Sequence, residues 1–523
     1  MEKTIWVPLL LIFTLTQFSI IAQDGLNDNT SLKYLKSNLY FLASDQLEGR
    51  ETTSRGEQIS SLFIASELEK YGVQPFGDSG TYFQNFPVIE TKFGNENSLT
   101  IFSDNSEKTT EAGDNFILIK FILPDNKYSN NKYDLAFAGF GLTSEESDYD
   151  DYKNIDVTNK IVIIKSGIPT LYGASPFSEN EIAKFKKGNY KIKIAEEHGA
   201  VGCLVIPDSS TKKYWKYIAA SSKSASLKLE YEDDTSELSI PIALISDEFA
   251  QELLNNEKQS FSEIEEKIRA EEPTESFLLT KKILLRYDLQ TNIKYARNVL
   301  GVLPGNNDDL KDQIVSVGAH FDHEGVLDGE IYNGADDDGS GTVAILETAR
   351  KLSIIKDNER PILFIFHTGE EKGLLGSSYL TDNSPFVKNI ISNINIDMVG
   401  RESEDSIYCI GSKMLSTELS QLLEETNEET VHFILNYKFD DPNDPNKYYY
   451  RSDHYNYAKK GIPIAFFYDH MTLDYHKPTD TPDKIDYYKI NKISKLVTNL
   501  ALKISNLDHK LVVDKVVESE STN

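Results

Sequence analysis

Five short stretches of the chain carry side chains able to hold metal ions. They are His320-Phe321-Asp322, the acidic loop Asn333-Gly334-Ala335-Asp336-Asp337-Asp338-Gly339-Ser340-Gly341, Thr368-Gly369-Glu370-Glu371, Asp397, and Asp474-Tyr475-His476. Two histidines and three carboxylates, with a spare glutamate beside one of them, make the set of imidazole nitrogens and carboxylate oxygens that zinc accepts. Two such ions held about 3.5–4 Å apart form a clamp that several hydrolases use, and a shared aspartate is the natural bridge between them. Taken singly, adjacent acids such as Glu370-Glu371 or Asp336 to Asp338 would read as solvated loop charges. Matched ligand types after four strand-like runs are not explained that way.

Those runs are Ile314 to Gly318, Ile362 to Phe366, Ile391 to Ile396 and Ile462 to Phe467. Each is continuously apolar rather than alternating, as a strand buried on both faces should be. A helix over Thr342 to Leu352 separates the first two, its start supplied by Asp338, Ser340 and the flanking glycines, and Ile490, Ile493, Val497, Leu500 and Ile504 recur at helical spacing. The pattern predicts an α/β fold, a three-layer sandwich of helices around a mostly parallel mixed sheet. In such sheets the loops beyond the carboxyl ends of the strands converge on one crevice, so the acids and histidines can meet there. An earlier helix is expected from Gln58 to Tyr71, with Ile59, Leu62, Phe63 and Leu68 on its packed face and Gly72 to stop it. From Asn97 to Thr280 the texture changes to short β-rich runs (Leu135 to Phe140, Lys160 to Lys165, Val201 to Pro207, Ile240 to Ile245) between long acidic or Ser/Asn-rich stretches, which reads as a separate insert.

Composition limits the partners. The 523 residues, 39% hydrophobic, suffice for two domains, and 54 Lys plus Arg against 83 Asp plus Glu give a formal charge of -29 that repels phosphate backbones and anionic lipid headgroups. Nucleic acid is not expected as a partner. The start, Met-Glu-Lys, an apolar run from Ile5 to Ile21 and then Ala22-Gln23-Asp24, has a signal-peptide layout with cleavage expected after Ala22. The run is short for a bilayer span of about 20 residues. The protein is therefore expected to be exported, periplasmic or secreted, and free of the membrane after cleavage. Cys203 and Cys409, each in an apolar run, read as buried inert thiols. The expected organisation is a signal peptide at 1–22, a first part of the catalytic domain at 25–97, an insert at 98–280, the second catalytic part with the metal site at 281–508, and a polar tail at 509–523.

The motifs His-x-Asp, Gly-Ala-Asp-Asp-x-x-Ser-Gly, Gly-Glu-Glu-x-Gly-Leu-Leu-Gly-Ser, Asn-x-Asp-Met-Val-Gly-Arg, Ser-Asp-His and a late Tyr-His are all present. Together they resemble the zinc peptidase family of bacterial leucyl aminopeptidase, which also holds aminopeptidase Y, glutamate carboxypeptidase, transferrin receptor and glutaminyl cyclase. The likeness covers Leu32 to Pro87 and Asn298 to Leu507, and the insert resembles the protease-associated domain. The resemblance implies two zinc ions per chain bridged by Asp336, with His320 and Asp397 completing one site and Glu371 and His476 the other. Asp322 would hold the His320 imidazole in its ligating tautomer. Glu370 would be the general base and Tyr475 would help the oxyanion.

The implied activity is an aminopeptidase acting on peptides. The alternatives are a carboxypeptidase of the same family, with Arg401 or Arg451 taking the substrate carboxylate, then a single-zinc glutaminyl cyclase, then a non-catalytic binding protein. Asp337 and Asp338 read as structural, shaping the turn and capping the next helix. His323 and His367 read as supporting or packing residues. Ser452-Asp453-His454 lacks the Gly-x-Ser-x-Gly elbow of a hydrolytic triad. The loop Asp440 to Asn446 offers calcium-type oxygens but reads as a surface turn.

Overall fold

The computed structural model describes residues 26–104, 106–113, 115–119, 131–187, 189–230, 240–441 and 444–515. The expected signal peptide at 1–22, residues 442 and 443 of the Asp440 to Asn446 loop, and the end of the polar tail lie outside them. The chain forms two compact units, Met1–Val88 with Lys294–Asn523, and Ile89–Ile293. The breaks between the two units fall inside two strands, Phe83–Phe93 and Leu289–Leu303.

In the first unit the central sheet is built from β1 (Leu289–Leu303), β2 (Ile314–His320), β3 (Ile362–His367), β4 (Ile390–Ile396), β5 (Ser406–Ile410), β6 (Ile434–Asn436) and β7 (Ile464–Tyr468). They lie in the order β1-β3-β2-β4-β7-β5-β6. The neighbours β3, β2, β4 and β7 run parallel, and β1 and β5 close this core antiparallel on either side. Every residue of β2, β3, β4 and β7 is buried, which is why these strands carry no polar alternation.

Helices α1 (Asp28–Leu42), α2 (Arg55–Tyr71), α3 (Gly341–Ile355), α5 (Thr417–Thr430) and α7 (Tyr487–Ser505) share one core with the sheet. Helices α4 (Leu375–Asn383) and α6 (His454–Ala458) contribute to a second core that also holds residues of β1, β3 and β7. The three-layer expectation holds. Helix α3 is buried on all sides from Gly341 to Ser353, with Glu347 paired to Arg350 at 2.7 Å and Lys351 held by Ser494 at 2.7 Å. Helix α2 ends as expected, Gly72 adopting φ 79 and donating to Leu68 and Glu69 carbonyls.

The packed face of α2 differs from the expected one. Leu62 is 54% exposed, and the buried residues are Gly56, Glu57, Ser60, Ser61, Ile64, Ala65 and Leu68. Close packing selected small residues there: a Cβ at Gly56 would stand 1.8 Å from the Leu47 carbonyl oxygen. A stripe made of serine, glycine and alanine leaves little apolar periodicity to read.

The second unit contains an eight-stranded sheet whose parallel centre is Tyr133–Phe137, Ile161–Lys165, Gly202–Ile206 and Ile242–Ile245. It is an α/β unit rather than merely β-rich. Its polar stretches hold short helices such as Glu179–Phe185 and Phe261–Arg269, each opened by a capping box, Ser178 with Glu181 and Ser260 with Glu263. Cys203 and Cys409 are free and buried, as expected.

Candidate metal centre

Strands β2 and β3 end in register, His320 beside His367, and Ile396 of β4 pairs with Phe467 of β7. The residues just past these ends therefore face one crevice. His320, the last residue of β2, is 1% exposed. Its Nε2 lies 3.4 Å from Asp337 Oδ1, 3.6 Å from Asp397 Oδ1 and 4.0 Å from Glu370 Oε2. On the other side of the ring, Nδ1 lies 3.2 Å from the Asp322 carbonyl oxygen and 3.6 Å from its Oδ1. Nδ1–H donating there leaves the Nε2 lone pair facing the acids. The same carboxylate accepts from Thr52 Oγ1 at 2.8 Å and from the Glu370 backbone N–H at 3.2 Å, tying the His320 and Glu370 loops together.

His476, on the loop after β7, completes the other half. Its Nε2 stands 3.2 Å from Asp337 Oδ2 and 3.3 Å from Glu371 Oε2, and its Nδ1 3.3 Å from Glu324 Oε1. Glu371 also pairs with His323 Nδ1 at 2.8 Å. Three groups of ligand atoms lie within 4.8 Å of one another: His320-Asp337-Asp397, His323-Asp337-Glu371 and Glu324-Glu371-His476.

The geometry corrects the shared aspartate. Asp337, not Asp336, stands between the two histidines, one carboxylate oxygen toward each. Asp336 turns away and its Oδ1 accepts from Gly400 N–H at 2.8 Å. Asp338 accepts from Gly341 N–H at 2.8 Å and Met398 N–H at 3.1 Å, the capping role expected of it. Asp337 is extended at φ -99, ψ 103, and its carboxylate enters the crevice while those of Asp336 and Asp338 accept backbone N–H groups elsewhere. Asp480 fixes the phase, its Oδ2 accepting from the N–H of Asp336 at 2.9 Å and of Asp337 at 3.2 Å. A cis peptide bond joins Asp337 to Asp338.

Burial and Glu371 push the Asp337 carboxyl up, but His320 and His476 outweigh them and bring it down to about 2. Burial, followed by Glu371 and Asp397, raises Glu370 against the pull of His320. Tyr475 stacks on His476 with ring centroids 3.8 Å apart and lines the same pocket as Asp337, Glu370, Glu371 and Asp397.

Arg401 is taken, its Nη2 donating to Asp474 at 2.6 Å with Nη1 3.8 Å from Asp480. His454 stacks on Phe466 and its Nε2 bonds the Tyr449 carbonyl at 2.9 Å, while Ser452 Oγ accepts from Asn395 at 3.0 Å, so no triad forms. His367 bonds the Tyr457 hydroxyl at 3.2 Å, a packing role. In the Asp440 to Asn446 loop, Asp440 accepts from Gly411 N–H at 2.7 Å and Asp444 from Tyr448 N–H at 3.1 Å, as a turn requires. Sequence reading passed over Glu324, although an acid two residues beyond Asp322 was a visible signal, and it had no means of choosing among Asp336, Asp337 and Asp338.

The donor set fits divalent metal. His320 Nε2 and Asp397 Oδ1 are buried with no hydrogen-bond partner and face each other, and carboxylates gathered in a buried crevice require cations to offset their desolvation. Imidazole nitrogen with carboxylate oxygen is the ligand chemistry of zinc.

Two segments of the chain match known protein families. Residues 298–501 match peptidase family M28, and residues 130–253 match the PA domain. A probable leucine aminopeptidase of Arthroderma benhamiae is 29% identical over 222 residues, covering 40% of this chain and 57% of that one. Aminopeptidase YwaD of Bacillus subtilis is 36% identical over 135 residues, 25% of this chain and 28% of that one. The chain spans little more than half the length of the leucine aminopeptidases it matches. Among solved structures, an aminopeptidase from Aneurinibacillus sp. strain AM-1 superposes with a TM-score of 0.58 at 18% identity over 93% of this chain and 96% of that one. A zinc aminopeptidase from Bacillus subtilis gives 0.54 at 21% identity over 90% and 94%. Both share the fold.

Proposed function

We propose, from the premise that the chain belongs to peptidase family M28 through residues 298–501 with a PA domain inserted ahead of them, that it is a two-zinc aminopeptidase removing N-terminal residues from peptides. The observation that carries this is the single carboxylate of Asp337 between His320 and His476, at 3.4 and 3.2 Å. His320, Asp337 and Asp397 would hold one ion, and Asp337, Glu371 and His476 the other. Zinc bound there supplies positive charge that polarises a carbonyl and acidifies water.

The chain's own groups do the rest. Glu370, half-buried beside the ligands and held through its N–H by Asp322, takes a proton from the attacking water and returns it to the leaving amine. The Tyr475 hydroxyl donates to the developing oxyanion. Met398, Phe466, Tyr468 and Met471 wall the pocket beside these acids and suit an apolar N-terminal side chain. Export belongs to the same reading and rests on the layout of residues 1–22; among the described residues no helix is long and apolar enough to cross a membrane.

The test is a panel of free-amine and N-blocked peptides, run with and without chelator and beside metal counting. Cleavage of free-amine peptides only, with two zinc per chain, lost on chelation and restored by zinc, is the expected result. Cleavage of N-blocked peptides would replace the reading with a carboxypeptidase. Cyclisation of N-terminal glutamine with one zinc would make the chain a glutaminyl cyclase, and inertness with any substrate a binding protein.

A further inference from the structure

The pocket that opens onto Asp337, Glu370, Glu371 and Asp397 has one cationic wall residue among those described, Arg451. Its guanidinium makes no hydrogen bond and no ion pair with any described residue. What it touches is the ring of Tyr448, 5.3 Å from the centroid, and that ring is fixed by a 3.0 Å bond from its hydroxyl to His470 Nδ1. Three other arginines of this unit are engaged: Arg401 with Asp474, Arg350 with Glu347, and Arg50 with the backbone carbonyls of Leu42, Phe321, Asn333 and Gly334. In a chain with 83 acids against 54 bases, an arginine left without a carboxylate beside a pocket full of them needs an explanation. The nearby acids are turned toward the histidines, so they do not supply its partner.

Arg451 is exposed, at the rim, whereas the walls beside it are the apolar Met398, Phe466, Tyr468 and Met471. A substrate side chain seated against those walls meets no cation, but a group directed outward past them meets the guanidinium fork. That fork matches a carboxylate through two parallel N–H bonds.

We propose that Arg451 is a specificity residue that takes the C-terminal carboxylate of a short peptide, so that the chain favours dipeptides with an apolar first residue and a free carboxyl end. This rests on the peptidase reading above. The contact is made by a substrate group remote from the bond that breaks, and it sets which peptides bind rather than how water is activated.

The experiment compares Leu-Leu with Leu-Leu-amide on the zinc-loaded full chain and on Arg451→Gln and Arg451→Lys. The wild type should favour the free acid by about ten- to a hundredfold in kcat/KM, the range of a charge-assisted hydrogen-bonded pair. The ratio should fall toward one in Arg451→Gln and only partly in Arg451→Lys, with zinc content retained in both. Calorimetric binding of the same two ligands to Glu370→Gln reads the preference without turnover, so failure of catalysis does not obscure it. A wild-type ratio near one, or a ratio unchanged in Arg451→Gln, overturns the proposal. So does a preference for Asp-Leu-amide over Leu-Leu-amide that vanishes in Arg451→Gln, because the bound anion would then be the first side chain.

Discussion

Replacing Asp337 by alanine should empty both metal positions, whereas the same change at Asp336 should leave them filled. The two residues are adjacent and chemically identical, so any difference between the variants isolates side-chain direction. Asp337 reaches His320 at 3.4 Å and His476 at 3.2 Å with different oxygens, so its loss touches both ions. Altering a group that merely orients a ligand costs about 10–100-fold in metal affinity. Removing a shared ligand should cost at least about 100-fold at each position, or about 2.7 kcal/mol per ion. Asp336 instead accepts from Gly400 N–H at 2.8 Å, and its removal leaves a buried donor unpaired, for about 1–3 kcal/mol of folding stability. Metal counting after dialysis against a weak chelator, with thermal melting by circular dichroism, reads both quantities. Two zinc retained by Asp337→Ala, with metal lost from Asp336→Ala, would refute the assignment of the bridge.

Glu370→Gln should keep its full metal content while kcat falls by about 10²–10⁴-fold, as loss of a positioned proton acceptor predicts; undiminished turnover would remove it from that role. Glu57 is buried and its carboxyl is raised to about 8 by desolvation, so the folded state holds a proton that the unfolded chain releases near 4.5. Its share of stability is present below pH 4.5 and is lost as pH rises through 8, so Glu57→Gln should raise the melting temperature relative to wild type at pH 9 and not at pH 4, the difference amounting to at most about 4–5 kcal/mol. Gly56→Ala should destabilise by about 1–3 kcal/mol in urea titration, because the added Cβ would stand 1.8 Å from the Leu47 carbonyl oxygen and helix α2 must shift.

The chemistry of the site was written in residue type and order: His320, Glu370, Glu371, Asp397 and His476 each follow a strand whose unbroken apolar run betrays burial on both faces, and strand ends of a parallel sheet must converge. The insert was legible from its change of texture, and its helices could have been read from Ser178 with Glu181 and Ser260 with Glu263. Local sequence does not encode direction. Which of Asp336, Asp337 and Asp338 enters the crevice depends on the tether from Asp480, more than a hundred residues away in the chain. Whether Arg401 or Arg451 is available to substrate depends on Asp474 and Asp480 reaching the former. The buried face of helix α2 was chosen by how closely its neighbours approach, not by apolar periodicity. Periodicity and ligand type are properties of a segment, whereas the pairing of one donor with one acceptor is a property of the folded chain, so only the tertiary structure could decide it.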